Sequence, residues 1–434
     1  MTISKRDQAA IWHPFTQHQT TGYPMPIARG EGAYLVAQDG KRYLDLISSW
    51  WVNILGHARK EIAEAIYQQA LTLEHVIFAG FTHEPAVQLA ETLLQLLGGH
   101  FSKVFYSDNG STAIEIALKM AYQYWYNQGE KQRKRFIAFE CAYHGDTFGA
   151  MAVGKSSGFY TPFEDLLFTV DSFAYPATWL NDPEIEQKEK IILEKLSQHL
   201  EKYGKETAAM IIEPLVQGAG GMRMCRPEFL QKLQAVLAPY GVLTIYDEVM
   251  TGFHRTGTLF ACHKAKTNPD IICLAKGLTG GFLPLAATIC QEKIYQAFLG
   301  ATFAKALAHG HSFTANPLGC AAALASLQLL QSSEIKAQIA KIEAIHSHML
   351  PKLHTHIPVQ HMRYCGTIAA FDLQSNSAYG SQLSQELRGR FLEKGLLVRP
   401  LGNVIYFMPP YCVKEQELQQ AYHLVIEAIQ GVTA

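Results

Sequence analysis

Three short segments of this sequence put chemically useful side chains at the ends of apolar runs. Ser107-Asp108-Asn109-Gly110-Ser111-Thr112 lies between the strand-like Lys103–Ser107 and a helical stretch over Thr112–Tyr126. Glycine there lets the backbone approach a ligand, and the unpaired amides of a helix start attract phosphate, with the Ser111 and Thr112 hydroxyls able to add hydrogen bonds. The same residue types also serve as a plain helix cap. Tyr246-Asp247-Glu248-Val249 ends a second apolar run. A carboxylate at the C-terminal end of a parallel strand sits where open α/β sheets bind ligands, or it caps the next segment. Leu274-Ala275-Lys276-Gly277 leads a third run into a glycine-rich turn. Desolvation or a neighbouring cation can prepare such a lysine for Schiff-base chemistry; its ordinary alternative is a solvated loop lysine. Singly, each signal is weak. Together they are the set pyridoxal phosphate needs: an amine for the Schiff base, an acid to keep the pyridine nitrogen protonated, and amides for the phosphate.

The elements that must position these residues alternate between strand and helix from about residue 60 to 300. Phe136–Glu140, Ala208–Glu213, Val242–Tyr246 and Ile271–Ala275 are apolar runs of strand length, continuous rather than alternating. That pattern suits strands covered on both faces, as in a mostly parallel sheet. Pro227–Leu237 reads as a helix with proline in its first turn, and Pro317–Leu330 as another. The pattern is α/β. The ends differ: residues 1–59 are rich in turns and aromatics, with a hairpin expected at Gln38-Asp39-Gly40-Lys41. The expected plan is a large domain over 60–316 and a smaller α+β domain from 1–59 and 317–434. Residues 171–205 are the least legible stretch and are expected to be partly irregular.

Composition narrows the function classes. Lysine and arginine number 37 against 38 acids, a formal charge of −1 without basic blocks, which argues against nucleic acid as a partner and for small molecules. The eight cysteines stand singly without a CxxC pair, so buried reduced thiols are expected, as in a cytoplasmic enzyme. Neither a signal peptide nor a membrane-spanning apolar run is read in the sequence. GxGxxG, GxxxxGK and HExxH are missing, against nucleotide-binding and zinc readings. No metal is expected, and His144, His254, His309 and His311 are read as hydrogen-bonding residues.

Longer motifs then resemble the class III aminotransferases, a fold-type I pyridoxal-phosphate family, from about Trp12 to Tyr411. They are DNGSTAIEIALKMA (Asp108–Ala121), AYHGDTFGAM (Ala142–Met151), DEVMTGFHRTG (Asp247–Gly257) and CLAKGLTGG (Cys273–Gly281). WHPFTQ, SSWWVNILGH, EPLVQGAGGM, HGHSFTANPLGCAAA and VRPLGNVIYFMPPY resemble the biotin-biosynthetic branch of that family. The resemblance implies a seven-stranded, mostly parallel sheet between helices. It also implies transfer of an amino group from S-adenosylmethionine to 8-amino-7-oxononanoate, with ω-amino-acid or diamine transamination as the alternative.

By that resemblance Lys276 carries the cofactor, Asp247 pairs with its ring nitrogen, Gly110 and Ser111 bind its phosphate, and Tyr143 and Val249 cover the ring. His311 and Ser312 match positions that reach the phosphate of a neighbouring subunit in a homodimer, and Gly310 a substrate contact. Phe15, Trp50, Trp51, Tyr143, Lys276 and Arg399 would meet substrate, Arg399 as a fork for a carboxylate. Phe15 stands where tyrosine is expected, leaving lysine open as an alternative donor, and Ser312 replaces threonine. Met250 stands where ornithine-type and GABA-type relatives have glutamine. Glu213 is left open between neutralising an arginine and a structural salt bridge.

Overall fold

The computed structural model describes residues 2–154, 160–375 and 379–433, so the outermost residues of the segments 1–59 and 317–434 lie outside it. Its centre is a seven-stranded sheet: β1 (Lys103–Ser107), β2 (Arg135–Phe139), β3 (Asp171–Phe173), β4 (Thr207–Ile212), β5 (Leu243–Asp247), β6 (Ile271–Leu274) and β7 (Ala286–Cys290). They lie in the order β1-β7-β6-β5-β4-β2-β3, and only β7 runs against its neighbours. The α/β expectation of a mostly parallel seven-stranded sheet is met. Alternate residues explain the unbroken apolar runs. Ala138, Ile211, Ile245 and Cys273 face one buried cluster. Ile137, Ile212, Tyr246 and Ile272 face the other. Both sides of the sheet are therefore core.

Helix α1 (Gly110–Asn127) starts two residues before the expected Thr112, because Asn109 and Thr112 close a reciprocal capping box. Pro227–Leu237 and Pro317–Leu330 are helices as read. Residues 171–205 are irregular over 174–184, as expected, but β3 precedes that stretch and a 19-residue helix, Ile185–Tyr203, follows it. Its buried stripe of Glu189, Ile192, Leu196 and Leu200 is sparse among charged residues, which hid the period. Strand β7, Ala-Ala-Thr-Ile-Cys, escaped the reading because its alanines carry little strand preference.

The chain ends meet. Ile27–Glu31, Tyr34–Ala37 and Arg42–Asp45 form an antiparallel meander, and Leu396–Leu397 adds to it in parallel. The Asp39-Gly40 turn joins two of these strands, with Gly40 at φ 84° as a tight turn requires. Val359–Cys365, Ile368–Leu373 and Val404–Phe407 form a separate antiparallel sheet. All eight cysteines are free; five are buried and three half-buried. Among the described residues no helix is long and apolar enough to cross a membrane.

Candidate active site

Four loops leave the C-terminal ends of β1, β2, β5 and β6, and together they wall a cavity of about 700 Å³. Gly110, Ser111, Tyr143, Asp247, Val249, Lys276 and Trp51 all line it. Seven expected site residues, spread over more than two hundred positions of chain, thus share one crevice, at the edge where parallel sheets place ligands.

Each is held by identifiable contacts. The first amides of α1 lie at the cavity wall, since Gly110 and Ser111 begin the helix there. A Cβ on Gly110 would fall 2.6 Å from Cγ1 of Val249, so only glycine lets the phosphate-type loop and the Val249 wall approach this closely. Ser111 Oγ pairs with Thr147 Oγ1 at 2.8 Å and accepts from Thr147 N at 3.0 Å. Asp247 is almost fully buried. One of its oxygens accepts from Val249 N at 3.0 Å, and the other meets His144 Nδ1 at 2.7 Å. Tyr143 donates its hydroxyl to Asp146 at 3.0 Å and stacks near Tyr160. Burial, and then the charge of Asp146, raise its pKa, so the phenol stays protonated.

Lys276 takes φ 44°, a left-handed conformation unusual for a side-chain-bearing residue. Its amine points into the cavity 5.1 Å from the Trp51 ring centroid. Desolvation lowers its pKa, against the pull of Asp247 and Glu213. A strained lysine with a depressed pKa is what amine chemistry near neutral pH needs.

Trp51 owes its place to a strained turn. Ser48, Ser49, Trp50 and Trp51 all have positive φ, between 46° and 78°. Four successive left-handed residues cost about 1–2 kcal/mol each. Buried Asp45 offsets this by accepting from Ile47 N, Ser49 N and Ser49 Oγ while bonding His57 Nε2 at 2.9 Å. Trp51 Nε1 donates to Tyr406 at 3.0 Å.

Other expected residues lie elsewhere. Phe15, Trp50 and Arg399 form their own cluster outside the cavity lining, with Phe15 edge-on to Trp50 at 5.8 Å and the Arg399 guanidinium 4.8 Å from the Trp50 ring. Gly310, His311 and Ser312 sit in a loop that does not line this cavity. That loop is closed by the Thr314 hydroxyl, which bonds His311 N and His311 O.

Glu213 meets neither expectation held for it. It accepts from Tyr143 N at 3.0 Å and Gly218 N at 2.9 Å, and no ion pair involves it among the described residues. Burial pushes its carboxyl up to about 7, with His144 opposing and Asp247 adding to the rise. The folded protein therefore binds this proton more tightly than the unfolded chain. Its contribution to stability is full below pH 4.5 and is lost as pH rises to about 7. Glu213→Gln should flatten the stability–pH curve across that window by up to one proton, measured by denaturant unfolding at a series of pH values. Glu248, also pushed up to about 7, is present in both proteins and cancels. Parallel curves would contradict the shift.

Sequence reasoning missed the His144–Asp247 contact. His144 follows Tyr143 directly, but nothing in the spacing ties it to an acid 103 residues later. Tyr406 as the partner of Trp51 was missed for the same reason.

The profile of the aminotransferase class-III family matches residues 15–429. This chain belongs to that family. A relative from Synechococcus elongatus, adenosylmethionine-8-amino-7-oxononanoate aminotransferase, is 51% identical over 423 residues, covering 97% of this chain and 99% of its own. The solved enzyme of the same name from Methanocaldococcus jannaschii is 38% identical with a TM-score of 0.91, covering 99% of this chain and 98% of that one. An amine transaminase from an uncultivated Pseudomonas species, solved with pyridoxal phosphate bound, is 31% identical with a TM-score of 0.89 and 97% coverage of both chains.

The cofactor of this class-III aminotransferase is pyridoxal phosphate, and the residues that line the cavity fit it. The amides opening α1 suit its phosphate, and the gap beside Gly110 admits no side chain. The buried acid suits a protonated ring nitrogen, and the cavity holds one depressed lysine.

Proposed function

We propose that this aminotransferase moves an amino group from S-adenosylmethionine to 8-amino-7-oxononanoate, giving 7,8-diaminononanoate in a ping-pong cycle. The observation that carries the acceptor is the place of Arg399. It lies past Trp51 and Tyr406 from Lys276, on the Trp50 face, and bonds no acid among the described residues. A substrate that reacts at Lys276 and ends in a carboxylate at Arg399 must reach from the cavity to a side chain outside its lining. Trp51, Met250, Phe282 and Leu283 supply an apolar wall for such a substrate.

When bound, the cofactor supplies an aldehyde that condenses with amines and a ring that draws electron density from the neighbouring carbon. Lys276 would hold it covalently and would serve as the base that moves a proton from the donor α-carbon. Asp247, oriented by His144 Nδ1 and Val249 N, keeps the ring nitrogen protonated. Gly110 and Ser111 would hold the phosphate, and Tyr143 and Val249 would cover the ring. Trp51 and the Trp50 face guide the substrates, with Phe15 beside Trp50.

The protein acts as a homodimer in the cytoplasm on this reading, with 1–59 and 317–434 as the small domain around 60–316. His83 Nε2 bonds Ala315 O, which brings residues near 77–83 against the Gly310–Ser312 loop. Ile77, Phe81 and Phe313 there are each about 60% exposed, an apolar patch that a second copy would cover. That arrangement would bring Gly310, His311 and Ser312 to the partner's cofactor and substrate.

Phe15 favours one second reading, in which lysine is the donor, because its ring lacks a phenolic hydrogen bond. Mixing the holoenzyme with S-adenosylmethionine, lysine, β-alanine or GABA and following the cofactor's absorbance separates the cases. S-adenosylmethionine should convert the cofactor, and later addition of 8-amino-7-oxononanoate should restore it with release of the diamine. Conversion by lysine alone would overturn the donor. Conversion only by β-alanine or GABA would overturn the acceptor as well.

A further inference from the structure

We propose that Tyr379 is the positioning residue that sets Arg399 as a carboxylate fork. This rests on the acceptor reading above and names what makes that site selective for a remote carboxylate.

The geometry fixes the guanidinium on two sides. The Tyr379 hydroxyl accepts from Arg399 Nε at 3.1 Å and from Nη2 at 2.5 Å, occupying the edge those two nitrogens share. The Trp50 ring lies 4.8 Å from the guanidinium carbon and supports its face. What remains is the Nη1–Nη2 edge, whose two parallel N–H groups match a carboxylate. Tyrosine orients the fork without neutralising it, since its hydroxyl is an uncharged acceptor. An aspartate or glutamate in its place would consume the charge that the substrate must meet.

Arg388 lies on the helix Gln382–Glu393 and forms no ion pair among the described residues. Desolvation and then the charge of Arg399 lower its pKa, with Tyr379 opposing. Tyr406 feels both Arg399 and Tyr379 and bonds Trp51, so this corner connects to the cavity wall opposite Lys276. The proposed occupant is the terminal carboxylate of an unbranched aliphatic acid.

The test compares the wild-type holoenzyme with Tyr379→Phe. KM for 8-amino-7-oxononanoate should rise about tenfold, the worth of one hydrogen bond to a charged group, with kcat within about twofold. Nonanoate, as an inhibitor of the donor half-reaction, should weaken by the same factor, while nonanamide should be unaffected by the substitution. An unchanged KM and unchanged nonanoate inhibition in Tyr379→Phe would overturn the proposal. Equal weakening of nonanoate and nonanamide would also overturn it, since that marks a general packing defect. If the wild-type enzyme turns over no 8-amino-7-oxononanoate but loses nonanoate inhibition on the Tyr379 change, the substrate reading fails and the fork stands.

Discussion

Lys276→Ala should abolish turnover, lowering kcat by at least about 10³-fold, because two separate duties of the amine disappear together. The covalent anchor goes, so cofactor is held only by the phosphate loop, Asp247 and the ring-covering side chains. The proton shuttle at the donor α-carbon also goes, and among the described residues no other amine lines the cavity to replace it. The loss should not come from unfolding. Alanine keeps the same Cβ in the φ 44° conformation, so backbone strain is nearly unchanged, and the cavity wall keeps its other contacts. Circular dichroism and thermal unfolding should therefore match the wild type closely. Small primary amines added to the variant should restore part of the half-reaction, by supplying the missing proton acceptor from solution. Near-normal transamination by Lys276→Ala would refute the assignment.

The second large effect is expected at Asp247. Asparagine is nearly isosteric, so cofactor binding and fold should survive, yet a neutral amide cannot hold a proton on the ring nitrogen. The ring then draws electrons poorly at the step where the α-carbon loses its proton. A loss of about 10²–10³ in kcat is expected, the scale for removing one preorganised charge from a water-poor site. The variant should still take up cofactor on Lys276 and show its absorbance, which separates an electronic defect from a binding one. The His144 contact at 2.7 Å makes a related point. His144 orients the acid, so His144→Ala should cost less than Asp247→Asn. A variant Asp247→Asn with kcat within a few-fold of wild type would show that the acid does not act on the ring.

How much of this was legible follows from where the information lies. Strands β2, β4, β5 and β6 announced themselves because both faces of the sheet are core there, and continuous apolar runs record that directly. The loops that line the cavity were legible because glycine, acid and lysine at strand ends are few and chemically distinct. The helix Ile185–Tyr203 was not, since four buried positions among many charges carry a faint period. Side-chain partners were also hidden. His144 to Asp247, Tyr379 to Arg399 and Asp45 beneath the left-handed Ser48–Trp51 turn all depend on three-dimensional closure of distant segments. Glu213 shows the limit most clearly: an acid in this region suggested an ion pair, but the fold satisfies it with two backbone amides.

Borohydride reduction of the cofactor-loaded protein, followed by peptide mass mapping, tests the central claim most directly. A single pyridoxyl group should appear on the peptide that contains Lys276, together with loss of activity. A pyridoxyl group on another lysine, or none on a protein supplied with the cofactor, would contradict the account.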